Sequence, residues 1–274
     1  MESKIAKALA LKYNPVAIIL ANEKPAKALQ FKPGKWGCVM FLFANAARGK
    51  TAVFDKQTYG CWGGGVGLGF GNVYKQFPGG VDCFTRFLSS GNKDWEKGRQ
   101  VAEELDRSGA KEFVDDFLEG ERYVKNPDLV DQWLREELPI MEIDSRYVLF
   151  KPLSDVDPVT DKPEVVVFVV DADQLSALVV LANYGREGME NVSIPWAAGC
   201  QLIGIIPLNE VKKQKPRAVV GLTDLSARKN VRKLLGAGYL TFAVPWKMFL
   251  EMESNVEGSF FERPTWQSLK ESKP

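Results

Sequence analysis

The run Glu164-Val165-Val166-Val167-Phe168-Val169-Val170 constrains the fold more than any other part of the chain. β-Branched and aromatic side chains favour a pleated strand. Here they occupy both alternating faces, so the strand they form needs cover above and below, as in the interior of a layered sheet. Asp171 and Asp173 follow at once, and the apolar stretch Gln174–Tyr184 then runs to Gly185. A strand passing directly into a helix is the pattern of an α/β layer.

The remaining elements extend that pattern. Val16–Ala21, Thr51–Phe54, Arg146–Phe150, Ala218–Leu222 and Tyr239–Val244 have strand length and apolar content. Glu2–Tyr13 reads as a helix stopped by Asn14-Pro15. Cys38–Ala47, apolar almost all round, reads as a buried helix ending at Gly49, and Cys200–Ile206 as a second buried segment. Pro245 opens a helix through Glu253, and the last twenty residues are polar enough to wrap the surface or fray. The section from about Gly80 to Leu138 is wholly helical in pattern, with Asn126-Pro127 as a cap and first turn. The expectation is a single α/β (or α+β) domain spanning 1–274: a mixed sheet with helices on its faces and a helical layer over 80–138.

Chemistry is bounded first by an absence. The chain contains 0 histidines, which removes Ser-His-Asp and Cys-His catalytic units and the usual histidine-rich zinc sets. A metal site must therefore draw on thiolate, carboxylate or an exogenous ligand. With 36 basic and 35 acidic residues, the chain has no long-range attraction for phosphate backbones, so no nucleic-acid partner is expected. No apolar run reaches membrane-spanning length and no signal-peptide core stands at the start, which points to a cytoplasmic protein with no membrane association. The 4 cysteines are too few for a disulfide scaffold and are read as reduced thiols or metal ligands.

Three groups of residues are candidate sites. Between Gly60 and Gly71, 7 of 12 positions are glycine, around Cys61 and Trp62. So much glycine disfavours helix and strand, so the stretch is read as a loop. Its spacing matches neither the dinucleotide fingerprint nor a P-loop. The backbone N–H groups of Gly63, Gly64 and Gly65 are candidates for holding a ligand or cofactor. The second group is the cysteines, Cys38, Cys61, Cys83 and Cys200, three of which directly follow a glycine. They have no C-x-x-C spacing, but scattered ligands can be gathered by a fold, and an iron–sulfur cluster is the cofactor they suit. The inert alternative is that they are small buried hydrophobes. The third is Arg228, in a basic stretch and near Asp224, as a holder of an anionic small molecule; a solvated face is the bland reading.

Asn14-Pro15-Val16-Ala17, Cys38, Cys61-x-Gly63-Gly64 with Leu68-Gly69, Pro163–Val167 and Gly199-Cys200 together resemble the prokaryotic ArCR family, a domain of unknown function numbered 169. The resemblance extends to about Glu253. The family commonly has Cys-Pro-Gly-Gly where this chain has Cys61-Trp62-Gly63-Gly64. Cys38, Cys61 and Cys200 fall on family positions. The resemblance implies a bacterial or archaeal cytoplasmic protein and brings no activity with it. The functional expectation is a cysteine-dependent, cofactor- or metal-binding protein, with an iron–sulfur redox role in view. Its rivals are a small-molecule enzyme or binding protein holding an anionic ligand at the glycine-rich stretch, and a non-catalytic homo-oligomeric binder.

Overall fold

The computed structural model describes residues 1–271. They form two compact units, Gly71–Glu142 and the remainder of the chain. The larger unit is built on a seven-stranded mixed sheet in which β1 (Val16–Ala21), β2 (Ala52–Phe54), β3 (Tyr147–Pro152), β4 (Pro163–Val170), β5 (Val192–Ser193), β6 (Ala218–Gly221) and β7 (Leu240–Pro245) lie in the order β2-β3-β1-β4-β7-β6-β5. β5 and β6 run parallel, and the other neighbours are antiparallel.

The valine-rich strand stands at the centre, hydrogen-bonded to β1 on one side and to β7 on the other. Its alternation serves two cores. Val166, Phe168 and Val170 join Phe242 and Val244 beneath the helices Ala172–Tyr184 and Trp246–Ser254. The opposite face is covered by the helices Val39–Ala47, Gly199–Ile203 and Ile205–Val211. Asp171 starts the helix after β4 with a capping box: its carboxylate accepts from Gln174 N–H at 2.9 Å, and the Gln174 side chain accepts from Asp171 N–H at 3.0 Å.

Several boundaries differ from the sequence expectation. The first helix is only Lys4–Ala8, capped by Ser3, because the backbone turns left-handed at Ala10 (φ 49°). The C-terminal segment does not merely skirt the surface. Phe261 and Trp266 are buried in the core under β4, and Trp266 Nε1 donates to Ala8 O at 3.2 Å. The expected loop over 60–71 contains a helix, Trp62–Gly67, for the packing reason given below.

The helical section expected as a layer of one domain is a compact unit of its own. Aromatic side chains supply its core: Tyr74 stacks on Phe84 with centroids 3.7 Å apart, and Phe77 meets Phe84, Phe87, Phe113 and Phe117. Asn92, fully buried, donates to the carbonyls of Cys83 and Phe117 at 3.1 Å each and so ties two helices together. Asn126 caps the helix Pro127–Gln132 through its bond to Leu129 N–H, as the sequence predicts. Among the described residues no helix is long and apolar enough to cross a membrane.

Candidate functional site

Three cysteines of the sheet unit open three helices. Cys38 is the N-cap of Val39–Ala47, Cys61 the N-cap of Trp62–Gly67, and Cys200 the second residue of Gly199–Ile203. Asp224 caps a fourth helix, Leu225–Leu235. A helix N-terminus presents unsatisfied N–H groups and partial positive charge, which favours thiolate over thiol.

Close backbone approach knits these four starts together, and it accounts for the glycines. A methyl group on Gly67 would lie 2.8 Å from the Cys200 carbonyl carbon and 2.9 Å from its sulfur. One on Gly64 would lie 2.7 Å from Val39 Cγ2, and one on Gly199 would lie 2.7 Å from Ala227 Cβ and 3.0 Å from Met40 Cγ. Gly60, at φ 82°, leaves space for the Gly37 carbonyl and the Phe31 ring. The low helix propensity of glycine is thus overridden by contacts that only glycine permits. This is why Trp62–Gly67 is helical where the composition alone predicts a loop.

The Cys61 and Cys200 sulfurs are held by adjacent residues of the glycine-rich helix. Cys61 Sγ accepts from Gly64 N–H at 3.3 Å, and the Cys200 thiol donates to Gly63 O at 3.0 Å. Asp224 joins two helix starts: its Oδ1 accepts from Ser226 N–H at 2.9 Å and Ala227 N–H at 3.3 Å, and its Oδ2 accepts from Gly199 N–H at 2.9 Å. Cys38 and Cys61 are half-buried, whereas Cys200 is buried.

Burial is the largest influence on all three thiols. It pushes Cys38 up, against the pull of the Met40 and Phe41 amides and the Asn230 side chain. Burial and then the charge of Cys38 push Cys61 up to about 12, opposed by the Gly64 and Gly63 amides. Cys200 is driven well above its ordinary value by burial and then by Cys61, Cys38 and Asp224. The three groups therefore sense one another, and in the absence of a positive centre all are neutral thiols. Among the described residues no three His, Cys, Asp or Glu side chains are arranged to hold a single metal ion.

The other sequence candidates are placed differently. Cys83 belongs to the helical unit, where it is 0% exposed beside Gly79 and Val101. Gly64 N–H is directed at Cys61 Sγ, and Gly65 N–H closes a helical bond to Cys61 O at 2.9 Å. Arg228 spends its guanidinium on backbone, donating to Leu222 O at 3.1 Å, Tyr239 O at 3.0 Å and Ala237 O at 2.7 Å. It clamps the end of β6 to the turn before β7, a structural role that the sequence did not suggest. Sequence reasoning missed Asp224 as a tie between helices and Asn230 as a neighbour of Cys38. Asp224-Leu-Ser-Ala is a legible N-cap, but its second partner, Gly199, lies 25 positions away.

The fold and this geometry define a layered α/β protein in which three cysteine-bearing helix starts pack closely together. Residues 4–255 match the family described as uncharacterised ArCR, domain of unknown function 169, and the chain belongs to that family. No curated protein and no solved structure matches it.

Proposed function

We propose that this protein binds an iron–sulfur centre through Cys38, Cys61 and Cys200 and uses it in redox or cofactor chemistry in a reducing, cytoplasmic setting. The observation that carries the reading is the gathering, on one side of the sheet, of three thiols from positions 38, 61 and 200 at three helix starts. Soft thiolate ligands select iron–sulfur clusters, zinc and copper(I) over hard cations. The neutral thiols would lose their protons as the metal binds, since a bound cation reverses the electrostatics that raise them.

The rival reading, an anion held by the amides of Gly63–Gly65, has less support because those of Gly64 and Gly65 already have partners within the chain. Cys83 is left out of the ligand set because it is enclosed in the other unit.

The test is a set of single serine variants, reconstituted anaerobically with ferrous iron and sulfide. Cys38→Ser, Cys61→Ser and Cys200→Ser should each lose most of the visible absorption of the cluster, while Cys83→Ser keeps it. Equal absorption in all four variants would overturn the proposal.

A further inference from the structure

We propose that the groove between the helix Leu225–Leu235 and the turn before β7 binds a small organic carboxylate, a single acid group on an apolar body. The site is separate from the three thiols, since none of Cys38, Cys61 and Cys200 lines it.

The groove follows from the helical repeat. Leu225, Arg228, Lys229, Arg232 and Leu235 recur at intervals of three and four and so share one face. Opposite that face stand Leu222, just after β6, and the turn carrying Ala237 and Tyr239. The cavity between them measures about 280 Å³, near the small end of the range for small-molecule sites. Its apolar part is formed by Leu222, Val231 and Leu235, all buried. The Tyr239 ring is held edge-on to Tyr13 with centroids 5.3 Å apart. Leu225 also lines the cavity yet is 64% exposed, an apolar side chain left for the body of a ligand to cover.

Charge specifies the other end of the ligand. Arg228, Lys229 and Arg232 line the cavity, and no Asp or Glu does. Lys213 and Arg217 pair with Glu210, whereas among the described residues no carboxylate pairs with any of these three cations. Arg228 is half-buried, and its acceptors, the carbonyls of Leu222, Tyr239 and Ala237, are neutral. They hold the guanidinium in place without cancelling its charge, and among the described residues its Nε–H meets no acceptor. A cation fixed in advance, in a partly dry cavity, binds a carboxylate with little further ordering. Leu222 itself sits at φ 58°, where a bulky residue is uncommon; such backbone outliers gather at ligand sites.

The experiment follows the amide resonances of isotope-labelled full-length protein during titration with benzoate, phenylacetate or isovalerate. At least one acid should shift Leu225, Gly236 and Ala237 saturably, and benzamide, the neutral counterpart of benzoate, should not. Leu225→Glu sets a like charge against the ligand and should weaken binding by about tenfold. Replacing both rim cations, Lys229→Gln with Arg232→Gln, should weaken it severalfold. All three positions are exposed, so the unfolding midpoints should stay near wild type. Failure of all three acids to shift these amides, or shifts centred elsewhere, overturns the proposal. Benzamide acting as benzoate does, or unchanged affinity in either variant, overturns it by removing the role of charge. Inorganic phosphate saturating the site as tightly as benzoate overturns it by removing the role of the apolar body.

Discussion

The Cys200 thiol donates to the carbonyl oxygen of Gly63 at 3.0 Å, across 137 positions of sequence. One contact thereby joins the helix start that follows β5 to the glycine-rich helix that follows β2. The neighbouring Gly67 fixes how closely the two can pack.

Gly67→Ala should destabilise the protein by about 1–3 kcal/mol, the usual range for overpacking a filled interior. The added methyl would meet backbone and sulfur of Cys200 within 2.9 Å, and backbone cannot rotate away. Gly238→Ala, where nothing lies within 4 Å, is the control and should fall within roughly 0.5 kcal/mol of wild type. Urea unfolding of both variants checks the pair. A neutral Gly67→Ala would mean that the two helix starts are not in contact.

Removing the Asp224 carboxylate should act at two helices at once. Asp224→Ala should lose about 1–2 kcal/mol from the missing cap. It also leaves the Gly199 N–H without its acceptor, worth about 1–3 kcal/mol when such a group is buried. Asp224→Asn keeps the oxygen that caps Ser226 and Ala227 and should cost less. Comparable losses for the two variants, measured by denaturation, would contradict the two-helix role.

Arg228→Ala should lower stability by about 1.5–3 kcal/mol, because a cation donating to three carbonyls is replaced by a methyl group. Arg228→Lys should restore little of it, since an ammonium lacks the planar fork that spans Leu222, Ala237 and Tyr239. The same variants should reconstitute a cluster with wild-type absorbance. A stable Arg228→Ala protein that fails only in ligand binding would return Arg228 to the role the sequence suggested.

The metal-free protein should become less stable as pH rises above the ordinary thiol value. In the unfolded chain a cysteine ionises near 9, while folded Cys61 holds its proton to about 12. Between those limits the folded state binds more protons than the unfolded one, so the slope of stability against pH is negative. The stabilising contribution is fully present below pH 9 and lost as pH approaches 12. Cys38 and Cys200 shift in the same direction. Cys61→Ser should show a shallower decline over this window in pH-dependent denaturation, and identical slopes would refute the thiol contribution.

What the sequence disclosed and what it concealed follow from the range of the forces involved. The central strand was legible because its two-faced apolar pattern has one structural solution, and the Asn126 cap was legible because its partner Leu129 lies three positions on. The helix Trp62–Gly67 was not, because its stability comes from Val39, Cys200 and neighbouring backbone rather than from its own residues. The backbone clamp made by Arg228 was hidden for the same reason: the carbonyls it satisfies, at 222, 237 and 239, leave no mark in side-chain type. The burial of Trp266 depends on the Ala8 carbonyl, 258 positions away, which no local pattern announces. The gathering of Cys38, Cys61 and Cys200 was suggested only by the glycines that precede or surround them.

The most direct test of the account is iron and acid-labile sulfide content, measured with the visible spectrum, on protein expressed and purified without oxygen. The account predicts iron and sulfide together, with broad visible absorption that is lost in Cys61→Ser. Colourless protein containing neither, both as purified and after anaerobic reconstitution, would contradict it.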